Sequence, residues 1–141
     1  MTNVRISAKV EVEVPFHDVD AMQVVWHGHY FKYMEMARTA LLRSLDYDYP
    51  QMTESDYLWP IIECQARFIK TVRYGMKLTV TASILEYENR LKIGYLLVDS
   101  QTHERVCKGY TVQVAVARTT HEMCMVSPEI LYRRLGFHKA P

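Results

Sequence analysis

Val4, Ile6, Ala8, Val10, Val12 and Val14 hold every even position at the start of the chain, and Arg5, Ser7, Lys9, Glu11 and Glu13 every odd one. Side chains of an extended strand leave alternately to opposite faces, so period two over eleven residues means one face on a core and the other in water. Pro15 ends the run because it has no N–H for a ladder. A strand with a continuous apolar face must be covered. The cover follows from Tyr30, where the period changes to 3.6. Tyr30, Met34, Ala37, Leu41 and Leu45 form one stripe, widened by Tyr33, Ala40 and Leu42, and Lys32, Glu35, Arg38, Thr39 and Arg43 take the other side. This predicts an amphipathic helix of about four turns with Gly28 near its start.

Residues 46–57 are turn-rich, contain Pro50, and read as a loop. Beyond them the pattern is strand after strand. The first runs from Trp59 to Thr71 and the second from Met76 to Tyr87. Glu88-Asn89-Arg90 then turns tightly into Leu91–Ser100, and residues 101–104 turn again into Arg105–Arg118. Short turns between long alternating runs predict an antiparallel meander. A short terminal helix is expected to be capped by Ser127, with Pro128 at its first position and Gly136 at its end. One long helix on one antiparallel sheet is an α+β arrangement.

The 141 residues suit a single domain spanning 1–141, and 49% apolar with 23% charged residues is an ordinary globular balance. Seventeen Lys and Arg against sixteen Asp and Glu leave +1, no net field to draw in a polyanion, so nucleic acid is not an expected partner. Cys64, Cys107 and Cys124 make no C-x-x-C pair and read as reduced thiols. No apolar run is long enough to span a bilayer and the N-terminus lacks an apolar leader segment, so a cytoplasmic location and no membrane partner are expected.

Residues 16–29 fit neither period and gather three of the six histidines and two acids around Val24, Val25 and Trp26. A loop feeding the start of a helix meets free backbone N–H groups and the positive end of the helix dipole, which favour an anion. An acid or imidazole there sits beside a site able to hold a developing oxyanion. Asp18, Asp20, His27 and His29 are the candidates on position alone, with capping of the turn or helix as the alternative role for each acid.

The stretch HDVDAMQVVWHGHY at 17–30, followed by MEMAR at 34–38, resembles the hotdog-fold acyl-CoA thioesterases of the 4-hydroxybenzoyl-CoA thioesterase group. The resemblance implies a five-stranded antiparallel sheet wrapped round one long central helix, plus the short C-terminal helix. It also implies hydrolysis of an acyl thioester, on CoA or acyl carrier protein, to a free acid and a thiol. Carried over by position, Asp20 matches the catalytic carboxylate, attacking the thioester carbonyl or activating a water, and His27 supplies a backbone N–H to the thioester oxygen. Trp26, Gly28, His29 and Tyr30 would bind substrate, while Asp18 would shape the loop. No cofactor and no metal is implied, since thiolate leaves readily. A homodimer, or a homotetramer of paired dimers, is also implied, with sites at the subunit interface.

Several positions depart from that pattern. Met22-Gln23 replaces a glycine pair, Phe16 a frequent tyrosine, His29 a frequent asparagine, and Thr71-Val72-Arg73 a proline-containing loop. Glu35 is expected to pair with Arg38 rather than act as the catalytic acid. A metal held by the His27-x-His29 pair is disfavoured by its position at a loop-to-helix junction. Lys70, Arg73, Lys77 and Arg90 are the cations available for a local phosphate grip. Two other functions use the same fold, a hydratase or dehydratase of acyl carrier protein chains and a catalytically silent acyl-binding protein. Asp20 ahead of the helix favours hydrolysis.

Overall fold

The computed structural model describes residues 6–136. Its first strand, β1 (Ser7–Glu13), keeps the expected alternation, with Val12 and Val14 buried and Lys9, Glu11 and Glu13 exposed; Val4 and Arg5 lie outside the described residues. The long helix α1 (His29–Ser44) buries the predicted stripe through Tyr30, Tyr33, Met34, Ala37, Leu41 and Leu42. Strands β3 (Ile61–Phe68), β4 (Lys77–Glu86), β5 (Leu91–Asp99) and β6 (Arg105–Gln113) complete a five-stranded antiparallel sheet in the order β1-β4-β5-β6-β3. Leu78, Val80 and Ala82 of β4 and Ile93, Tyr95 and Leu97 of β5 face the helix and form the core between the layers. Each such side chain taken out of water contributes on the order of 1.5–3 kcal/mol. No helix among the described residues is long and apolar enough to cross a membrane.

Three expectations need correction. Residues 46–57 are not all loop, because α2 (Tyr49–Glu54) forms there. The backbone N–H of Asp48 donates to Gln51 Oε1 at 3.1 Å, and Pro50 lies in the first turn, where a missing N–H costs nothing. The strands expected over Trp59–Thr71 and Arg105–Arg118 are shorter than their patterns suggest. β3 starts after Pro60, and Tyr57–Leu58 forms a separate strand, β2, paired with β7 (Val116–Ala117). The terminal helix α3 (Glu129–Leu135) begins one residue late, with Pro128 extended as its cap and the Ser127 N–H donating instead to Glu88 O at 2.8 Å. Gly136 ends α3 in the left-handed region as expected (φ 84).

The two edges of the sheet differ. β1 exposes charges, the usual protection of an edge. β3 exposes Ile61, Ile62 and Phe68 instead.

Candidate active site

The loop between β1 and α1 is a small hairpin. A single 3-10 turn (Phe16–Asp18) leads into it, Val19 bridges to Val25, and Asp20 and Val24 close it, with the Asp20 N–H on Val24 O at 2.9 Å. The Val25 N–H donates to Val72 O at 2.8 Å, tying the hairpin to the segment after β3. At the tip the Gln23 N–H returns to Asp20 O at 2.9 Å, and Gln23 takes φ 66. A side chain pays for that left-handed conformation, which glycine adopts freely. The Met22-Gln23 pair, where the resemblance expected glycine, falls at this strained tip.

The two acids of the loop face different surroundings. Asp18 is 1% exposed. Lys32 Nζ donates to both its oxygens (2.6 and 2.7 Å), Tyr33 Oη donates to Oδ2 at 2.6 Å, and His29 Nδ1 stands 3.8 Å from Oδ1. Burial pushes the Asp18 carboxyl up, but the Lys32 and Tyr33 hydrogen bonds, with the charges of Lys32 and His29, outweigh it and hold it below its ordinary value. Tyr33 moves the other way, raised first by burial and then by its bond to Asp18. Asp20 is exposed, and Oδ1 accepts the Met22 N–H at 2.8 Å as a short turn-forming bond.

Asp20 and His27 open onto a groove of about 310 Å³, lined also by Val24, Tyr30, Phe68 and Lys70. The His27 ring lies 6.3 Å from that of Phe68, and Tyr30 lies 4.9 Å from the same ring. Among the described residues the backbone N–H groups of His27 and Gly28 make no hydrogen bond, and Gly28 caps α1 without a side-chain partner. A carboxylate, two free donors and a helix start therefore share one end of the molecule.

The other expected site residues stand outside that lining. Trp26 covers Gly28 so closely that an added Cβ would lie 2.2 Å from its ring, so a side chain there would have to push the exposed indole aside. His29 turns its ring toward Asp18, 5.4 Å from Trp26, while His27 turns toward Phe68. Glu35 forms the expected ion pair with Arg38. Of the four cations considered for phosphate, Lys70 pairs with Glu104 and Arg90 with Glu86, whereas Arg73 and Lys77 form no ion pair among the described residues.

Sequence reading missed Phe68 and Thr71, which with the phosphate-grip candidate Lys70 reach the groove from the end of β3, and the Lys32–Tyr33 clamp on Asp18. The first group carries no local signal. The clamp was findable, since a buried acid at a helix start needs donors from the first turn.

The model of the thioesterase-like superfamily matches residues 14–133. The chain belongs to the thioesterase-like superfamily. Within it, the Bacillus subtilis (strain 168) protein YneP, provisionally named an acyl-CoA thioesterase, is 32% identical over 80 residues. That alignment takes in 57% of this chain and 58% of YneP, less than two thirds of its length. Among solved structures, the 1,4-dihydroxy-2-naphthoyl-CoA thioesterase Slr0204 from Synechocystis superposes with a TM-score of 0.82 at 17% identity, over 96% of this chain and 99% of that one. An Asp-to-Asn variant of 4-hydroxybenzoyl-CoA thioesterase complexed with 4-hydroxybenzoyl-CoA gives a TM-score of 0.79 at 16% identity, over 92% and 98%. These likenesses establish the hotdog fold of the superfamily member. The Asp20 hairpin lies inside the matched residues.

Proposed function

We propose that this chain hydrolyses an acyl-CoA thioester to a free acid and the CoA thiol. One observation carries the reading. Asp20 is an exposed carboxylate at the groove that His27 also lines, beside the unbonded N–H groups of His27 and Gly28. Those donors take the charge that develops on the carbonyl oxygen. Asp20 either attacks the carbonyl carbon, giving a mixed anhydride that water then cleaves to the free acid, or takes a proton from a water that attacks instead; in both routes the C–S bond breaks and the thiolate leaves to be protonated by solvent. No strong general acid is required.

The acyl group needs an apolar receptacle, and an apolar cavity lies elsewhere in the chain. It measures about 490 Å³ and is lined by Leu42, Met52, Trp59, Ile61 and Val116, with Arg38 and Gln113 at its wall. Ile61 and Phe68 are opposite ends of β3, roughly 23 Å apart at 3.3 Å per residue. Antiparallel pairing of β3 with a second copy about a two-fold axis hides the apolar β3 edge of each chain and sets Ile61 of the partner subunit near Phe68. The cavity of one chain then adjoins the Asp20 groove of the other. The same edge pairing makes the protein a homodimer with two sites.

Two experiments test the reading. Thiol release is measured from aromatic, short and long acyl-CoA esters, and from the same acyl groups on carrier protein, beside Asp20→Asn. Release by the native chain and its loss in the variant support the assignment, and the preferred ester names the acyl class. Release that survives moves the chemistry to another group, with Glu35 the next to replace. No release from any ester on either carrier makes the protein a silent acyl binder. Sedimentation velocity is the second experiment. The native chain is expected as a dimer and Cys64→Arg, in the middle of β3, as a folded monomer with little activity. A fully active monomer rejects the shared site.

A further inference from the structure

The outer face of the sheet, away from α1, carries an unpaired field of positive charge that the whole-chain balance hides. One straight row crosses all five strands. Lys9 of β1 stands opposite Thr81 of β4, Thr81 opposite Leu96 of β5, Leu96 opposite Lys108 of β6, and Lys108 opposite Arg67 of β3. Lys92 and Arg105 flank the row, and these five cations line one shallow depression of about 680 Å³ that no Asp or Glu lines. None of the five forms an ion pair among the described residues, although other Lys and Arg side chains supply seven such pairs with acids elsewhere. Lys92 sits instead 4.4 Å over the Tyr110 ring. Since the chain totals only +1, the rest of the surface is net acidic.

We infer that this face docks an acidic amphipathic helix of a partner protein. The row spans four inter-strand steps, about 19 Å at 4.8 Å each. A helix of three to four turns is 16–22 Å long, at about 5.4 Å per turn, and presents carboxylates every turn along one side. Leu96 lies in the middle of the row and Leu85 is 59% exposed beside it, so the patch offers apolar contact between its charges, as protein interfaces do.

Other occupants fit less well. A second copy stacked face to face would set the cation row against itself. A long polyanion would run off the patch onto acids, since Glu11 and Glu13 extend from the β1 side and Glu63 and Glu86 lie toward the far ends of β3 and β4. A flat anionic bilayer does not follow a depression. The inference rests on strand register and charge alone and stands or falls apart from the hydrolase reading.

The test is fluorescence anisotropy with a labelled helical peptide of about four turns (~15 residues), bearing glutamates around central leucines. The same peptide with lysines, single- and double-stranded oligonucleotides of matching length, and phosphatidylserine vesicles are run beside it. The native protein is expected to bind the acidic peptide, to lose at least about tenfold in affinity between low and high salt, and to ignore the lysine peptide. The charge-reversed pair Arg67→Glu/Lys108→Glu is expected to lose tenfold or more, and the milder pair Arg67→Gln/Lys108→Gln an intermediate amount. Circular dichroism melts and sedimentation velocity confirm that both variants fold and assemble like the native chain. No peptide binding, unchanged binding by the reversed pair, or tighter binding to oligonucleotide or vesicle overturns the inference.

Discussion

Asp18 and Asp20 belong to one hairpin with a single valine between them, yet one is sealed in and clamped while the other is open to the groove. Asp18 spends both oxygens on Lys32 and Tyr33 and is held ionised by them. Asp20 has one oxygen on a backbone N–H and faces the space where a substrate would sit. The difference comes from the helix behind. The first turn of α1 presents Lys32 and Tyr33 to the residue that ends the 3-10 turn and nothing to the residue at the hairpin's far side. A buried, satisfied carboxylate rigidifies the loop, and an exposed one beside free donors is available for chemistry.

The sharpest way to separate the two is to neutralise each in turn. Asp20→Asn is expected to cost about 10²–10⁴ in kcat, the usual scale for a positioned acid–base group, with the melting temperature nearly unchanged. An equal loss of stability would mean that Asp20 is a second structural acid. Asp18→Asn should do the reverse. Loss of a buried charge-assisted acceptor is expected to cost roughly 2–3 kcal/mol, a fall in Tm on the order of 10 °C for a chain of this size. Turnover well below the transition should stay within about threefold of the native chain.

This second effect depends on pH in a fixed direction. The Asp18 carboxyl titrates lower in the folded chain than its ordinary value of 3.8, so its stabilisation is complete above that value and is lost as pH falls through the folded one. The native chain and Asp18→Asn should therefore begin to converge in stability below about pH 4 and meet only once the pH has fallen past the folded value. A gap that persisted into acid would assign the loss to packing instead of charge.

The smallest effect concerns the tip. Gln23→Gly relieves a left-handed side chain and is expected to change stability by only about 0.5–1 kcal/mol in the favourable direction, since freedom gained by the unfolded chain offsets part of the relief. Its use is kinetic. If the stiff tip positions Asp20, kcat falls while KM moves little.

Most of the architecture was legible because periodicity is a direct record of burial. The even-numbered valines of β1 and the Met34-Ala37-Leu41 stripe of α1 lie where their spacing puts them. What escaped depended on pairings made in space. Pro50 looked like a breaker because a first-turn proline and a loop proline are alike in sequence, and only Gln51 reaching back to Asp48 separates them. The groove's far wall, Phe68 to Thr71, comes from a strand end about 40 residues away from the hairpin, and no local pattern announces it. The cation row is similar, since Lys9, Lys108 and Arg67 look like scattered surface charges until strand register sets them side by side.

The chain's two tryptophans occupy unlike settings, and this makes the molecule optically legible. Trp59 is 7% exposed, with its indole N–H on Tyr47 Oη at 3.0 Å, at the wall of the large cavity. Trp26 is 48% exposed, lying over Gly28 at the start of α1 between two imidazoles. A sheltered indole emits to the blue of a hydrated one, so the intrinsic fluorescence divides into a blue component from the cavity and a red component from the helix start. Two natural dyes thus mark separate regions of the fold, and single Trp→Phe variants tell which one an added molecule disturbs.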